Sequence, residues 1–238
     1  MKILQDIREY IQFSIETQNI ELECIYGIYQ NQAVNKETFL NVLNYCKKNY
    51  KFIDESNNLD IRKELIYKQK QQIGSIRCSI DGIHNIMSYC KTDKLENEIY
   101  IKKESYSDKP QLKNKNFNYR INLKNEIPLR KESSDVKSFL VDLSTINKHY
   151  RYKKRYSFYT DNDLFRIDIT TVKSSKYNDT LKRYELKKTF TESKILLEPE
   201  EYEIEIEFVG NKTQQGIKNL SRYINNLQLK GDLEVSTS

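Results

Sequence analysis

Hydrophobic and polar residues alternate with a period of two over much of the chain between residues 20 and 208. Successive side chains of a β-strand point to opposite faces, so this pattern predicts strands with one apolar and one polar face. The alternation is clearest at residues 201–208, where Glu203, Glu205 and Glu207 share one face. Further strands are predicted at Ile20–Tyr26, Glu64–Gln72, Ser75–Asp81, Glu98–Glu104, Asn118–Glu126, Tyr150–Phe158, Leu164–Val172 and Arg183–Phe190.

Apolar residues recur at helical spacing near both ends of the chain. They predict helices over residues 2–17, 36–49 and about 213–229, and Asn35 is placed to cap the second helix. These helices flank the run of predicted strands. They are therefore expected to pack against the outside of whatever sheet the strands form.

The remaining segments are predicted to be irregular. Residues 52–60 form a polar loop, residues 105–116 a disordered lysine-rich loop, and residues 130–147 a connector with a helical turn. Because the strands follow one another with helices at the ends, a single domain over residues 1–238 is predicted. Its fold class is α+β and mainly antiparallel, with about eight or nine strands.

The polar faces of the predicted strands hold charged residues of both signs. An open sheet with these faces in water explains this pattern, and so does a closed barrel with a polar interior. Periodicity does not distinguish the two architectures. Solvent-facing strands usually mix several polar residue types, whereas arginine and glutamate recur here at a fixed phase, which favours the barrel. About eight strands enclose enough room for a small ligand.

The composition narrows the functional classes. The chain has 40 basic and 34 acidic residues and a net charge of +6, which suits an anionic partner. No apolar run reaches the length of a membrane span, and the N-terminus lacks the apolar core of a signal peptide. Cys24, Cys46, Cys78 and Cys90 have no paired metal-ligand spacing, so they are predicted to be free thiols of a reducing compartment.

A closed barrel would bring the charged faces together in a small volume. Several carboxylates cannot all stay ionised there without a cation, and an oxygen-only ligand set suits Mg²⁺ or Mn²⁺. Arginine and lysine on other strands suit phosphate oxygens. The acids are Glu21, Glu23, Glu203, Glu205 and Glu207, and the cations are Arg77, Lys153, Arg155 and Arg166. Together they predict a site for a metal-bound polyphosphate.

Several short motifs occur in the order found in one enzyme family. Glu21-Leu22-Glu23 and the glutamates of residues 203–207 resemble the two glutamate motifs of the triphosphate tunnel metalloenzymes. More closely, the chain resembles the metal-dependent RNA 5′-triphosphatases of fungal and large-DNA-virus (mimivirus-like) mRNA capping. The motifs between the glutamates are Arg77-Cys78-Ser79, Tyr119-Arg120-Ile121-Asn122 leading to Glu126, Lys153-Lys154-Arg155-Tyr156-Ser157 and Arg166-Ile167-Asp168-Ile169-Thr170. Ile25 replaces the lysine of the Glu-x-Glu-x-Lys signature, which argues against the bacterial and animal branch.

The resemblance implies a closed triphosphate tunnel with flanking helices and a role for individual residues. Glu126 would orient or deprotonate the attacking water. Direct metal ligands would be Glu21, Glu23 and Glu207, and the residues that hold metal-bound waters and basic side chains would be Asp168, Glu203 and Glu205. The phosphate-binding residues would be Arg77, Lys153, Arg155, Arg166 and one of the adjacent pair Lys102 and Lys103, with Lys103 expected to face inward.

The resemblance also implies substrates and partners. The substrates would be 5′-triphosphate RNA and free NTPs. The lysine signature of a guanylyltransferase is absent, so such a domain or subunit is expected as partner, and the chain is expected to be the N-terminal part of a longer capping enzyme. The expected location is the host cytoplasm, in a viral factory, or the virion. Two alternatives remain: an inorganic polyphosphatase or polyphosphate polymerase of the same fold, and a non-catalytic module that binds RNA ends or other anions.

Overall fold

The computed structural model describes residues 12, 14, 20–27, 33–105, 112–114, 119–160, 163–210 and 214–231. Its strands are β1 (Ile20–Tyr26), β2 (Lys51–Tyr67), β3 (Lys70–Ile73), β4 (Ile76–Asp81), β5 (Glu98–Ser105), β6 (Leu112–Asn114), β7 (Tyr119–Leu129), β8 (Lys148–Tyr159), β9 (Phe165–Ser174), β10 (Tyr177–Asn178), β11 (Arg183–Tyr184) and β12 (Glu201–Phe208). Its helices are α1 (Lys36–Asn49), α2 (Ile83–Thr92), α3 (Ser134–Leu140), α4 (Phe190–Ser193) and α5 (Gln214–Gly231), with a 3₁₀ turn at Ile195–Leu197. Residues 12 and 14 are helical, whereas the rest of the predicted helix 2–17 and most of the lysine-rich segment 105–116 lie outside the described residues.

Eight antiparallel strands form a closed barrel in the order β1-β12-β9-β8-β2-β4-β5-β7, and β7 pairs back onto β1. The closing pair runs from Ile20 opposite Asn125 to Tyr26 opposite Tyr119. β3 pairs with the end of β2, β6 pairs with the start of β7, and β10 and β11 form a separate hairpin. The closed barrel predicted from the sequence is confirmed, and the open sheet is wrong.

The apolar faces of the strands point outward and pack beneath the helices. One buried cluster lies under α1 and α5 and includes Leu22 of β1, Val42 of α1 and Leu220 of α5. A second cluster includes Ile61 of β2 and Val136 of α3. Each such side chain contributes about 1.5–3 kcal/mol when it is removed from water. The helices therefore cover the outer surface of the barrel, and the charged faces of the strands are left to line its interior.

Three segments predicted from the sequence are wrong. Glu64–Gln72 is not one strand, because β2 ends at Tyr67 and β3 begins at Lys70 after a turn at residues 68 and 69. Residues 52–60 are not a loop but part of the long strand β2, whose backbone pairs with β8 from Lys51 to Lys63. Arg183–Phe190 is extended only at Arg183–Tyr184, and Phe190 begins the short helix α4. The Thr189 side chain caps that helix by accepting a hydrogen bond from the Glu192 amide. Local helix capping therefore outweighs the alternation that predicted a strand here.

The cysteines are free, as predicted. Cys24, Cys46 and Cys78 are buried, and Cys90 is half-buried. Their compartment stays a prediction. In the described part of the chain, no helix has the length and apolar character that crossing a membrane would require.

Candidate active site in the barrel interior

The acidic faces of the first and last barrel strands meet inside the barrel. Glu23 of β1 lies opposite Glu207 of β12 in the register of this strand pair. Glu205, two residues earlier on β12, lies opposite Asp168 of β9. Glu21 precedes Glu23 on the same face of β1. Acids that are far apart in the sequence therefore share one wall of the interior.

Cations occupy the wall on the other side. Arg151, Lys153 and Arg155 lie at alternate positions of β8, and Arg77 lies on β4, which is four strands away from β12 around the barrel. Lys103 of β5 also faces the interior, where it contacts Glu126. Its neighbour Lys102 instead pairs with Glu104 at 3.0 Å and Asp135 of α3 at 4.0 Å. The barrel thus has an acidic wall and a basic wall.

A cavity of about 470 Å³ lies between the two walls. Its lining includes seven of the residues predicted from the sequence: Glu23, Arg77, Lys103, Lys153, Arg155, Glu203 and Glu205. Glu126, Asp168, Arg166 and Glu207 contact this lining or one another, and Glu21 lies two residues before Glu23 on the same strand face. Glu126 accepts a hydrogen bond from Arg77 at 3.2 Å, and Arg166 contacts Asp168 at 3.1 Å and Glu207 at 2.5 Å. The predicted residues are therefore brought together in one interior.

The acidic wall is crowded with negative charge. Burial, and then the charges of Glu126 and Glu207, raise the pKa of Glu21 to about 7. Burial, and then the charge of Glu203, raise the pKa of Glu205 to about 7 as well. Both carboxylates are therefore only partly ionised at neutral pH, because the charged form is destabilised by desolvation and by like charges.

Every cation predicted to bind phosphate contacts a carboxylate of the protein. The pairs are Lys153 with Asp60 at 2.5 Å, Arg155 with Asp168 at 3.6 Å, Arg166 with Glu207, Arg77 with Glu126, and Lys103 with Glu126. Burial alone would raise the pKa of Asp60, but Lys153 and Arg77 outweigh it and hold that pKa well below its usual range. Burial and the neighbouring arginines lower the pKa of Lys153 to about 8. Asp60 and Lys153 are therefore both charged at neutral pH.

The donor set of the acidic wall suits a divalent metal ion. It offers only carboxylate oxygens, which hard ions such as Mg²⁺ and Mn²⁺ prefer. In the residues that the structure describes, no three Asp, Glu, His or Cys side chains are positioned to hold an ion as they stand. Glu23 contacts Lys124 and Glu207 contacts Arg166 instead. Glu21 and Glu205 have raised pKa values because their ionised forms are destabilised. A nearby cation would stabilise those ionised forms.

The cavity lining also includes cations that were not singled out from the sequence. Arg120, Lys124 and Arg151 lie on predicted charged strand faces. The alternation therefore indicates that they face the interior, but it does not indicate that they line the cavity. Arg62 is missed because the sequence predicts a loop at residues 52–60 and a strand only from Glu64 onward. The alternation of Asp60 and Arg62 with apolar neighbours is the signal that could have located it.

No protein-family model matches the chain, and no curated protein matches it. The closed barrel with charged walls defines the triphosphate tunnel fold, as predicted. Among solved structures, the RNA triphosphatase domain of the trifunctional mimivirus mRNA capping enzyme is similar in fold. Its TM-score is 0.62 at 22% identity, with 97% of this chain and 96% of that chain covered.

Two further solved structures agree with this fold. A monoclinic crystal form of the mimivirus capping enzyme triphosphatase gives a TM-score of 0.64 at 23% identity, over 97% of this chain and 96% of that chain. The S. pombe Pct1 RNA triphosphatase gives a TM-score of 0.52 at 13% identity, over 99% of this chain and 92% of that chain. At these identities the similarity shows that the chain has this fold.

Proposed function

We propose that this chain is a divalent-metal-dependent RNA 5′-triphosphatase, which hydrolyses the γ-phosphate of 5′-triphosphate RNA in mRNA cap formation. Free NTPs would be hydrolysed too, because the site recognises charge and not the base. One observation carries the proposal: acids of β1 and β12 face cations of β4 and β8 across a closed barrel. The similarity in fold to RNA triphosphatases supports it.

Cations of the basic wall, together with Arg166 of β9, would bind the phosphates. Arg77, Lys103, Lys153, Arg155 and Arg166 would exchange their carboxylate partners for phosphate oxygens, which match the donors of arginine and lysine. A divalent ion, Mg²⁺ or Mn²⁺, held by Glu21, Glu23 and Glu207 would supply neutralisation of the charge on the γ-phosphate. This arrangement accounts for the positioning and charge compensation that phosphoryl transfer requires.

Glu126 would orient the attacking water. Burial alone would raise its pKa, but Arg77 and Lys103 lower it, so this side chain is a carboxylate at neutral pH and can accept a proton or a hydrogen bond. Asp168 would position other groups. It accepts hydrogen bonds from Ser157 at 2.7 Å and from Arg166 at 3.1 Å.

The remaining acids would act through their neighbours. Glu203 accepts a hydrogen bond from Arg151 at 2.7 Å and so would fix this arginine in the basic wall. Glu205, opposite Asp168, would hold metal-bound water. The diphosphate end that remains after hydrolysis would be capped by a guanylyltransferase domain or subunit. As a viral enzyme it would act in the host cytoplasm or the virion.

The proposal is tested by phosphate release from γ-labelled triphosphate RNA with Mg²⁺ or Mn²⁺, with and without chelator. Glu21→Gln and Glu205→Gln should each lower the rate by at least about 100-fold, because each removes charge from the acidic wall. Glu201→Gln is the matched control, since Glu201 lies on the same strand and in the same phase but is exposed.

The substrate panel separates the other candidate functions. It contains triphosphate RNA, ATP, inorganic tripolyphosphate and long polyphosphate. Preference for long polyphosphate would make the chain a polyphosphatase of the same fold. Binding of triphosphate RNA without phosphate release at any divalent metal would make it a non-catalytic module. Turnover that persists in chelator or in Glu21→Gln would contradict the metal site.

A further inference from the structure

Arg62 is an interior cation that forms no direct ion pair with a carboxylate in the described part of the chain. Its side chain lines the 470 Å³ cavity on β2. The neighbouring Arg77 and Arg151 donate hydrogen bonds to carboxylates at 3.2 Å and 2.7 Å. The guanidinium of Arg62 makes no ion pair or hydrogen bond with any side chain in the described part of the protein. Arg62 therefore differs from its neighbours in having donors available inside the cavity.

The surroundings of Arg62 are unfavourable for a cation. Burial, together with the positive charges of Arg77 and Arg151, lowers the pKa of Arg62 against the opposing effects of Asp60 and Glu126. An arginine nevertheless stays protonated at neutral pH. A half-buried guanidinium among like charges is stabilised by a bound anion, and its planar set of donors matches phosphate oxygens.

Arg62 lies at the rim of the barrel: the pairing of β2 with β4 ends at Ile61, and from Glu64 onward β2 pairs with β3, which is not a barrel strand. The Gly74 amide donates a hydrogen bond of 2.9 Å to the carbonyl of Lys63, the residue that follows Arg62. Gly74 and Ser75 connect β3 to β4, and they line the same cavity together with Ile73, the last residue of β3.

The strand that carries Arg62 continues out of the tunnel. The next position on the same face of β2 is Glu64, about 7 Å further along the strand. Glu64 already lines a second cavity, of about 340 Å³, on the side of the β10–β11 hairpin. A phosphate chain that has its end at the acidic wall would pass Arg62 where it leaves the tunnel.

The geometry points to Arg62 as the residue that binds the α-phosphate of the substrate, the one attached to the nucleoside. This assignment deepens the proposed function and rests on it. An interaction with the α-phosphate is the same before and during γ-phosphate transfer. Its loss should therefore raise KM and leave kcat nearly unchanged.

The test compares Arg62→Gln, Arg62→Lys and the control Lys70→Gln, which removes an exposed cation from the neighbouring strand β3. With triphosphate RNA and with ATP, Arg62→Gln should raise KM about 10- to 100-fold, the loss expected for a charged hydrogen bond. Inhibition by ADP, which retains the α-phosphate, should weaken by the same factor, whereas inhibition by orthophosphate should not change. Arg62→Lys should recover part of the loss, and Lys70→Gln should behave as the wild type.

Several results would overturn this assignment. They are an unchanged KM, a fall in kcat as large as that in kcat/KM, or weaker inhibition by orthophosphate, which would place Arg62 at the γ-phosphate. If the wild type hydrolyses no substrate, the proposed function fails. Calorimetric titration with ADP then tests separately whether Arg62 binds an anion. Equal affinity of the wild type and Arg62→Gln for ADP would refute the anion site. Arg62→Gln should melt no lower than the wild type, because the charge that it removes is repelled.

Discussion

Replacing Asp60 with asparagine is expected to destabilise the protein by about 1–3 kcal/mol at pH 7, less than the usual cost of about 3–5 kcal/mol for breaking a buried ion pair. Asp60 Oδ2 lies 2.5 Å from Lys153 Nζ, and the Ser79 hydroxyl donates to Asp60 Oδ1 at 2.7 Å. Asp60 is 3% exposed and Lys153 is 7% exposed, so water cannot replace the lost partner. The variant leaves the lysine among the positive charges of Arg151 and Arg77.

The loss of stability has an upper limit because Lys153 can release its proton. The pKa of Lys153 in the folded wild type is about 8, so neutralising this lysine at pH 7 costs only about 1.4 kcal/mol, at 1.36 kcal/mol per pH unit. With the weakened hydrogen bond to Ser79 added, the expected loss is about 1–3 kcal/mol. For a chain of this length it corresponds to a melting temperature lower by about 2–12 °C.

The effect has a defined dependence on pH. Without Asp60, the pKa of Lys153 in the folded protein falls further below its unfolded value. Between the two pKa values the unfolded chain binds more protons than the folded one, so the free energy of unfolding increases with pH. The difference between Asp60→Asn and the wild type should therefore be largest at or below pH 7 and shrink as the pH approaches about 8, where Lys153 of the folded wild type also loses its proton.

The assay is urea unfolding at several pH values, followed by circular dichroism, with two comparison variants. Asp60→Asn with Lys153→Met removes both charges and should recover most of the stability. Asp81→Asn alters an exposed acid on the neighbouring strand and should cost less than about 1 kcal/mol. A melting temperature of Asp60→Asn within about 2 °C of the wild type, or a double variant as unstable as the single one, would refute the reasoning.

Three further outcomes are expected. Burial, and then the charge of Arg151, lower the pKa of His149 to about 3; the wild type should therefore lose up to about 1.4 kcal/mol per pH unit from pH 6.5 down to 3. His149→Phe should remove that slope in urea unfolding, and an unchanged slope would contradict it. Asn35→Ala should cost about 1 kcal/mol, because Asn35 Oδ1 accepts the Thr38 amide hydrogen bond at 2.8 Å; an unchanged thermal midpoint would exclude this cap. The raised pKa of Glu205 makes the stability of the metal-free protein fall as the pH rises from 4.5 to 7. Glu205→Gln should therefore stabilise the protein by about 1–3 kcal/mol at pH 8 in the presence of a chelator. A lower thermal midpoint of this variant would contradict the expectation.

The strands that were predicted correctly have one face in the barrel interior and one in the apolar layer beneath the helices. β12 shows the alternation most clearly because Ile204 and Ile206 are fully buried on its outer face. The first part of β2 lacks this signal. Its outer face there is solvated, and Glu55 pairs with Lys154 at 2.8 Å on the outside of the barrel. With polar residues on both faces, the period of two disappears, and only pairing with a distant strand makes the segment extended.

The sequence predicts which residues face the site but not how they pair with one another. The phase of each strand is local information, so the sequence indicates which glutamates and arginines face inward. Which cation contacts which acid is not local information. Asp60 meets Lys153 and Glu203 meets Arg151 only because β8 pairs with β2 on one edge and β9 on the other, in registers set by the closure of the barrel. The position of Arg62 at the rim depends on the same registers.

The ion pairs across the interior determine how a substrate can bind. Arg77 and Lys103 cannot bind phosphate oxygens without releasing part of their interaction with Glu126. Arg166 likewise has to release part of its interaction with Glu207. A polyphosphate that takes over these cations leaves carboxylates unpaired beside Glu21, whose own pKa is already raised. Under the proposed function, an ion at the acidic wall is therefore held more tightly when the polyphosphate is bound, and by linkage the polyphosphate is held more tightly when the ion is bound. The paired walls thus keep the interior nearly neutral before binding and couple the two ligands once either is present.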